Sequence, residues 1–406
     1  MATVSDRHGA LAWIQVLRGI AALAVVLWHA SRYLGPYGTG TGGLLFAPAS
    51  AMGVDLFFLI SGFIMVHTTR HVPGTWRDVA EFVIKRATRI WPAWLLALGA
   101  TLAIKAQSDF FTDPVMRNWL LHSVLFLPTG GAPADHPPTY GLPVLGVGWT
   151  LNYEMYFYAS FAATLLFGRW RRVALMGWII AALVLVPFAT GRLVDASDWV
   201  ELLAINPSHD HRYAIRALGL ATNPLILLFV AGAVVGWIHH SPARITSRPL
   251  LLGLLSASVA CVVLQYAFHF RTGHGLLKWG LSLVPLMLLV SMASKQMPLR
   301  APRALTYLGD ISFSLYLLHP LVQGWLHDRV ARSVGLAAEG AAAIIVTTIA
   351  SIAVAAMAHH VIERGLCEAL KRRLLRLLPA HDDPRASIRT RRSAQPATQE
   401  AAAGGR

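Results

Sequence analysis

Apolar runs of membrane length recur along almost the whole chain, and they constrain the fold more than any single motif. Ten stretches approach the roughly 20 residues that a helix needs to cross hydrocarbon. They lie at about 13–34, 46–67, 90–105, 145–167, 173–190, 217–238, 249–269, 277–293, 305–326 and 338–361. The third and eighth are short. Of 406 residues, 55% are hydrophobic and only 14% charged, a balance no soluble domain of this length needs. Inside lipid every backbone N–H and C=O must be satisfied within the chain, which leaves helices for runs of this kind. The expected fold is therefore all-α: a polytopic integral membrane protein of about ten transmembrane helices. The opening run is too long for a cleaved leader, carries Arg18 and His29, and is followed by no small-residue cleavage site. Cys261 falls inside an apolar span and Cys367 beyond the last, so both are expected to remain thiols.

Lysine and arginine set the orientation. With the N-terminus cytoplasmic, the inner loops carry Arg70, Arg77, Lys85, Arg86 and Arg89, then Arg169, Arg171 and Arg172, then Arg244 and Arg248, then Lys295, Arg300 and Arg303. The opposite loops hold acids such as Asp109, Asp113, Asp135, Asp195, Asp198, Glu201, Asp210 and Asp328. This asymmetry places both termini on the cytoplasmic side. A net charge of +15 then follows from positive-inside bias and a basic tail, and implies no nucleic-acid partner. The chain divides into a cytoplasmic segment 1–12, a membrane domain 13–365, a basic amphipathic helix 366–378 suited to anionic lipid, and a tail 379–406 whose composition predicts disorder. The outer loops at about 106–144 and 191–216 are long enough to bind a polar acceptor or to cap the bundle.

Arg18 and His29 stand eleven residues apart on the first span. Eleven residues turn through about 1100°, so both side chains leave one face, roughly 16 Å apart along the axis. Ala22 and Val25 lie between them, and the stripe reads as an intramembrane track with a donor end at Arg18 and a chemical end at His29. Charges at such depth are costly and ask for a function or a partner. Asp55, in Gly53-Val-Asp-Leu-Phe-Phe-Leu-Ile-Ser61-Gly62, lies at membrane depth, either as a working carboxylate or paired for insertion. Ser61-Gly62 fits close helix packing. Arg86 and Arg89, at i and i+3, can clamp phosphates, although positive-inside anchoring also places arginines there. Glu154 enters the fourth span from the outer side with Tyr158 one turn below. Ser312, Tyr316 and His319 share a face of the ninth span, where His319 reads equally as a packing residue. By depth, Asp55, Glu154, His29 and His319 belong to the middle or outer half, and Arg18, Arg86, Arg89 and Asp310 to the inner side. One polar cavity, basic inside and acid/base outside, would unite them.

These motifs together resemble the acyltransferase-3 family of integral membrane O-acyltransferases. The likeness rests on Arg18-Gly19 through His29, Gly53–Phe63, Arg86-x-x-Arg89-Ile-x-Pro92, Trp149-Thr-Leu-x-x-Glu154-x-x-Phe157-Tyr158 and Gly309–His319, and spans about 10–365. Thr150 stands where serine is usual, Phe313 where tyrosine is common, and Glu363-Arg-Gly365 lacks a following proline. The chain is similar to the standalone form, without an appended hydrolase-like domain. The resemblance implies a bacterial inner-membrane enzyme with no bound cofactor and no metal. It uses acyl-CoA, with acetyl-CoA the expected co-substrate, and a carbohydrate or other hydroxyl acceptor. Carried onto this sequence, His29 is the catalytic residue as general base or acyl carrier, with Glu154 or Asp55 orienting its ring. Arg18, Arg86 and Arg89 bind the donor, and Ser61, Tyr158, Tyr316 and His319 support them or the acceptor. A small macrolide-like acceptor is the alternative. From another class, a lipid or glycan transporter would show the same charges but no CoA chemistry.

Overall fold

The computed structural model describes residues 11–35, 40–105, 109–128, 139–189, 212–299, 301–327 and 340–379. All regular structure among them is helical. Among the described residues seven helices are long and apolar enough to cross a membrane, and one shorter apolar helix, Gly280–Ser294, accompanies them. The chain is a multi-pass membrane protein. The first span is α1, Ala12–Ala30, followed by α2, Gly40–Thr69, and α3, Trp76–Lys105. A short helix α4, Pro114–Val124, begins under an Asp113 cap whose carboxylate accepts from the Val115 and Met116 amides. Then come α5, Trp149–Leu165, and α6, Arg171–Ile180, which continues through a π-helical turn at Ala181–Leu185.

The sixth expected span is broken. Helix α7, Arg212–Ala221, is separated from α8, Ile226–His239, at Asn223-Pro224, where the Asn223 side chain accepts from the Leu225 amide and proline cannot continue the hydrogen-bond ladder. Helices α9, Arg248–Ala267, α10, Gly280–Ser294, α11, Arg303–Asp310, and α12, Ser312–Trp325, follow. The last span, α13, Ala341–Ala358, runs without interruption through a π-helical stretch at His359–Cys367 into α14, Glu368–Arg376.

Two boundaries differ from expectation. The third span was expected at 90–105, but α3 starts at Trp76, so Arg86 and Arg89 lie within a helix of about 45 Å rather than at its mouth. The basic amphipathic segment expected as a separate helix is the end of the final span, since neither proline nor a left-handed residue intervenes. The segments 1–10 and 380–406, and with them most of the expected tail, lie outside the described residues. So do 129–138 and 190–211 of the loops expected outside.

Close backbone approach holds the bundle. A Cβ on Gly62 of α2 would lie 2.0 Å from the Phe229 carbonyl oxygen, and one on Gly232 of α8 would lie 1.9 Å from that of Leu59. The same device joins α1 to α11, where a Cβ on Gly309 would come within 2.0 Å of the Gln15 oxygen. Lipid is as apolar as leucine, so helices associate in membranes through such small-residue contacts rather than through water exclusion. At one end the described part of the 106–144 loop caps the bundle. The indole N–H of Trp94 donates to the Ser123 carbonyl (2.9 Å), that of Trp91 to Val124 (3.0 Å) and that of Trp119 to Leu142 (2.9 Å). At the other end, residues of α1, α3, α11 and α14 line one vestibule, so the two ends of the described chain meet on the same side.

Candidate active site

Two connected voids organise the polar residues. The larger one is an open vestibule of about 2090 Å³ whose lining holds nine Lys/Arg and five Asp/Glu. Most of those acids are already engaged. Asp78 accepts from Gly74 and Thr75, Glu81 pairs with Lys85 and Arg77, and Glu368 with Lys371. The vestibule is thus effectively basic. The second void is an intramembrane cavity of about 110 Å³, lined by Ser61, Thr150, Glu154, Tyr158, Ser312 and Tyr316 among apolar neighbours. Arg18, Arg86 and Arg89 line both. They form the passage from one to the other.

Each arginine is held differently. Arg18 donates to the Ser312 hydroxyl (2.8 Å) and to Gln15 (3.2 Å), which fixes it at the first turn of α12. Arg86 donates to Thr68 (3.2 Å) and lies over the rings of Phe82 and Tyr158, 5.4 and 5.2 Å from their centroids. Arg89 has no hydrogen bond or ion pair among the described residues, although it is partly buried. A guanidinium withdrawn from water without an anion is an expensive arrangement. It suits a ligand that supplies the anion.

Opposite these cations, Glu154 accepts from the Tyr158 hydroxyl in a short hydrogen bond and from Ser61 at 3.5 Å. The Tyr316 hydroxyl donates to the Val147 carbonyl (2.9 Å) and lies 2.7 Å from Thr150 Oγ1. Glu363, whose role the sequence left in doubt, accepts from the Ser314 amide (3.2 Å) and hydroxyl and lies 3.2 Å from His359 Nδ1. It therefore satisfies the open Ser314 N–H at the start of α12, two residues beyond Ser312, the Arg18 contact.

His29 lies elsewhere. It lines neither void; its ring meets that of His319 edge to face, with centroids 4.8 Å apart. Both imidazoles place Nδ1 near the carbonyl four residues earlier, 2.9 Å to Val25 for His29 and 3.0 Å to Leu315 for His319. A carbonyl only accepts, so Nδ1 carries the hydrogen in each ring and Nε2 is the basic nitrogen. His319 is fully enclosed, and its Nε2 has no hydrogen-bond partner. His29 is only partly buried. Tyr316 touches both the cavity and the His319 ring. It lines the cavity, and its ring centroid is 6.2 Å from that of His319.

Several expectations need correction. The stripe between Arg18 and His29 is not a track. Ala22 packs with Ile311, Leu315 and Ala355, and Val25 is 2% exposed in the main core, because small residues on a membrane helix are most cheaply used for packing. Neither carboxylate orients His29. Glu154 is bound to Tyr158 and Ser61. Asp55 is fully buried and accepts from His274 Nδ1 (2.8 Å) and the Gly275 amide (2.8 Å), which makes it the anchor of the turn between α9 and α10. Sequence reasoning missed His274 and Gln323. The Gln323 side-chain amide donates to the Val26 carbonyl (3.1 Å), and the Gln323 main-chain carbonyl accepts from the Tyr33 hydroxyl (2.8 Å). These two bonds tie α12 to α1 and to the turn Ser31–Leu34 that follows it. The spacing of 219 residues between Asp55 and His274 leaves no local signal.

Residues 11–356 match the family described as Acyltransferase domain. The chain is 31% identical over 352 residues to the exopolysaccharide production protein ExoZ of Rhizobium meliloti (strain 1021), covering 84% of this chain and 94% of that protein. It is 27% identical to nodulation protein 10 of Rhizobium leguminosarum bv. viciae, covering 78% and 83%. It is 25% identical to the acyltransferase MdmB of Streptomyces mycarofaciens, covering 88% and 92%. No solved structure matches the chain.

Proposed function

The chain belongs to the acyltransferase-3 family of membrane acyltransferases, and from that membership we propose that it moves an acyl group from cytoplasmic acyl-CoA to a hydroxyl of a cell-surface or exported glycan. Acetyl is the expected group and the bacterial inner membrane the expected location. The observation that carries the donor assignment is Arg89, a guanidinium with no ion pair among the described residues, placed with Arg18 and Arg86 where a basic vestibule narrows into an intramembrane cavity. Guanidinium forks match phosphate oxygens in a way a point charge does not. The nucleotide end of the donor occupies the vestibule, and its thin pantetheine arm enters between the arginines.

His29 is the residue assigned to chemistry. With Nδ1 donating to Val25, its Nε2 takes the acceptor's hydroxyl proton as the oxygen attacks the thioester carbonyl. The C–S bond then breaks, and the thiolate leaves as a thiol on receiving that proton. An acyl-histidine route uses the same nitrogen as nucleophile. In either route Tyr316 must move aside, because it lies at the cavity wall next to His319. Glu154 and Tyr158 face the donor side, where they position the passage rather than His29.

The glycan acceptor follows the likeness to a protein of exopolysaccharide production. The likeness to the acyltransferase MdmB keeps a small natural product as the second reading. Mass spectrometry of surface polysaccharide from a deletion strain separates them: loss of acyl substituents, restored by the wild-type gene and not by a His29→Ala gene, supports the glycan. Unchanged polysaccharide with loss of an acylated small molecule transfers the assignment to the second.

A further inference from the structure

We propose that His67, His239 and His240 form a binding site for one divalent transition-metal ion, Zn(II) being the class that fits best. The site is separate from the chemistry assigned above and does not depend on it. His67 ends α2, and His239 and His240 end α8; their candidate ligand nitrogens all lie within 4.8 Å of one another. His67 Nδ1 and His240 Nε2 are already 3.1 Å apart, close to the roughly 3.4 Å between nitrogens around a tetrahedral zinc with bonds of about 2.0–2.1 Å. His240 is exposed and free to adjust its ring. Binding replaces the single N–H···N contact between those two rings, and the donor ring moves its hydrogen to its other nitrogen.

The surroundings prepare the rings. His239 Nδ1 lies 2.9 Å from the Ser291 hydroxyl, the kind of outer partner that fixes a ligand's tautomer and presents Nε2 to a metal. Phe63 stacks on His67 at 6.0 Å and meets His239 edge-on at 5.3 Å. The two helix ends are held by the Gly62–Gly232 approach one to two turns away, so the ligands rest on rigid elements. Arg70 bears on the choice of ion. Its guanidinium is 3.5 Å from the His67 ring and donates to His71 at 2.8 Å. A cation there disfavours hard ions held by charge alone, whereas imidazole bonds suit zinc, copper or nickel. His67 lines the vestibule, so a fourth position opens there, and the ion would clasp the C-terminal ends of α2 and α8 at the vestibule wall.

The test is titration of the chelator-treated protein, carrying a purification tag free of histidine, with Co(II) followed by Zn(II) competition. The expected result is visible absorption of a tetrahedral nitrogen site that saturates at one equivalent and is displaced by Zn(II). His240→Ala, at an exposed position, should weaken binding at least about 100-fold, beyond the usual cost of losing an outer partner. His71→Ala, on the same surface, should leave it unchanged. Thermal unfolding gives an independent reading: metal should raise the wild-type midpoint and leave that of His240→Ala where it is. No saturable Co(II) signal in wild type, or equal binding by His240→Ala, overturns the proposal.

Discussion

His29 and His319 meet edge to face across α1 and α12, with ring centroids 4.8 Å apart, and each ring holds a backbone carbonyl of its own helix through Nδ1. The two are not equivalent. One is sealed in protein and the other is reachable, so the pair predicts unequal effects of the same change. His29→Phe should lower kcat by about 10²–10⁴-fold, the range for losing a general base. His319→Phe keeps the ring contact and should cost far less in kcat. Steady-state assays on both purified variants check this, and equal losses would contradict the assignment.

Arg89 predicts a donor effect. Arg89→Ala should raise the KM for acyl-CoA by about 10–100-fold, equivalent to the roughly 1.5–3 kcal/mol of one charge-assisted hydrogen bond, while kcat changes little. Arg89→Lys should recover only part of this, because an ammonium lacks the planar fork. Donor titrations at saturating acceptor give the split.

Asp55 predicts a stability effect instead. Its carboxylate and His274 form one buried contact, so Asp55→Ala leaves the Gly275 amide and the imidazole without their acceptor, at a cost of about 1–3 kcal/mol. In a double-mutant cycle the His274→Ala change should cost less in an Asp55→Ala background than in wild type. Thermal unfolding in detergent reads the coupling, and strict additivity would show that the contact contributes nothing.

The glycine contact predicts a third kind of outcome. Gly232→Ala places a methyl 1.9 Å from the Leu59 oxygen, and α2 and α8 must separate to admit it. Overpacking of this kind costs about 1–3 kcal/mol and should lower the unfolding midpoint. Gly253→Ala, where nothing lies within 4 Å of the new methyl, should be neutral.

The all-helical membrane class was legible because apolar length is a property of contiguous sequence. Several residues named from local motifs fall around one cavity: Arg18, Ser61, Arg86, Arg89, Glu154, Tyr158 and Tyr316 all line it. What the sequence concealed is partnership between distant segments. Helical periodicity put Arg18 and His29 on one face but could not show that Ala22 and Val25 are consumed by packing. Depth counting put Asp55 and Glu154 near His29, yet depth says nothing about which helix lies alongside. The π-helical turns at Ala181–Leu185 and His359–Cys367 shift the facing of everything beyond them, which periodicity at 3.6 residues per turn does not anticipate. The histidine trio at the C-terminal ends of α2 and α8 had no ligand spacing to announce it, since His67 is far in sequence from its partners.

The most direct measurement is release of free thiol from acetyl-CoA by the purified protein reconstituted in lipid, with and without a polysaccharide acceptor. Thiol release should be stimulated by the acceptor, fall by at least about 100-fold in His29→Ala, and match the acetyl groups recovered on the acceptor. Movement of glycan or lipid across the bilayer with no thiol released, or undiminished release by His29→Ala, would contradict this account.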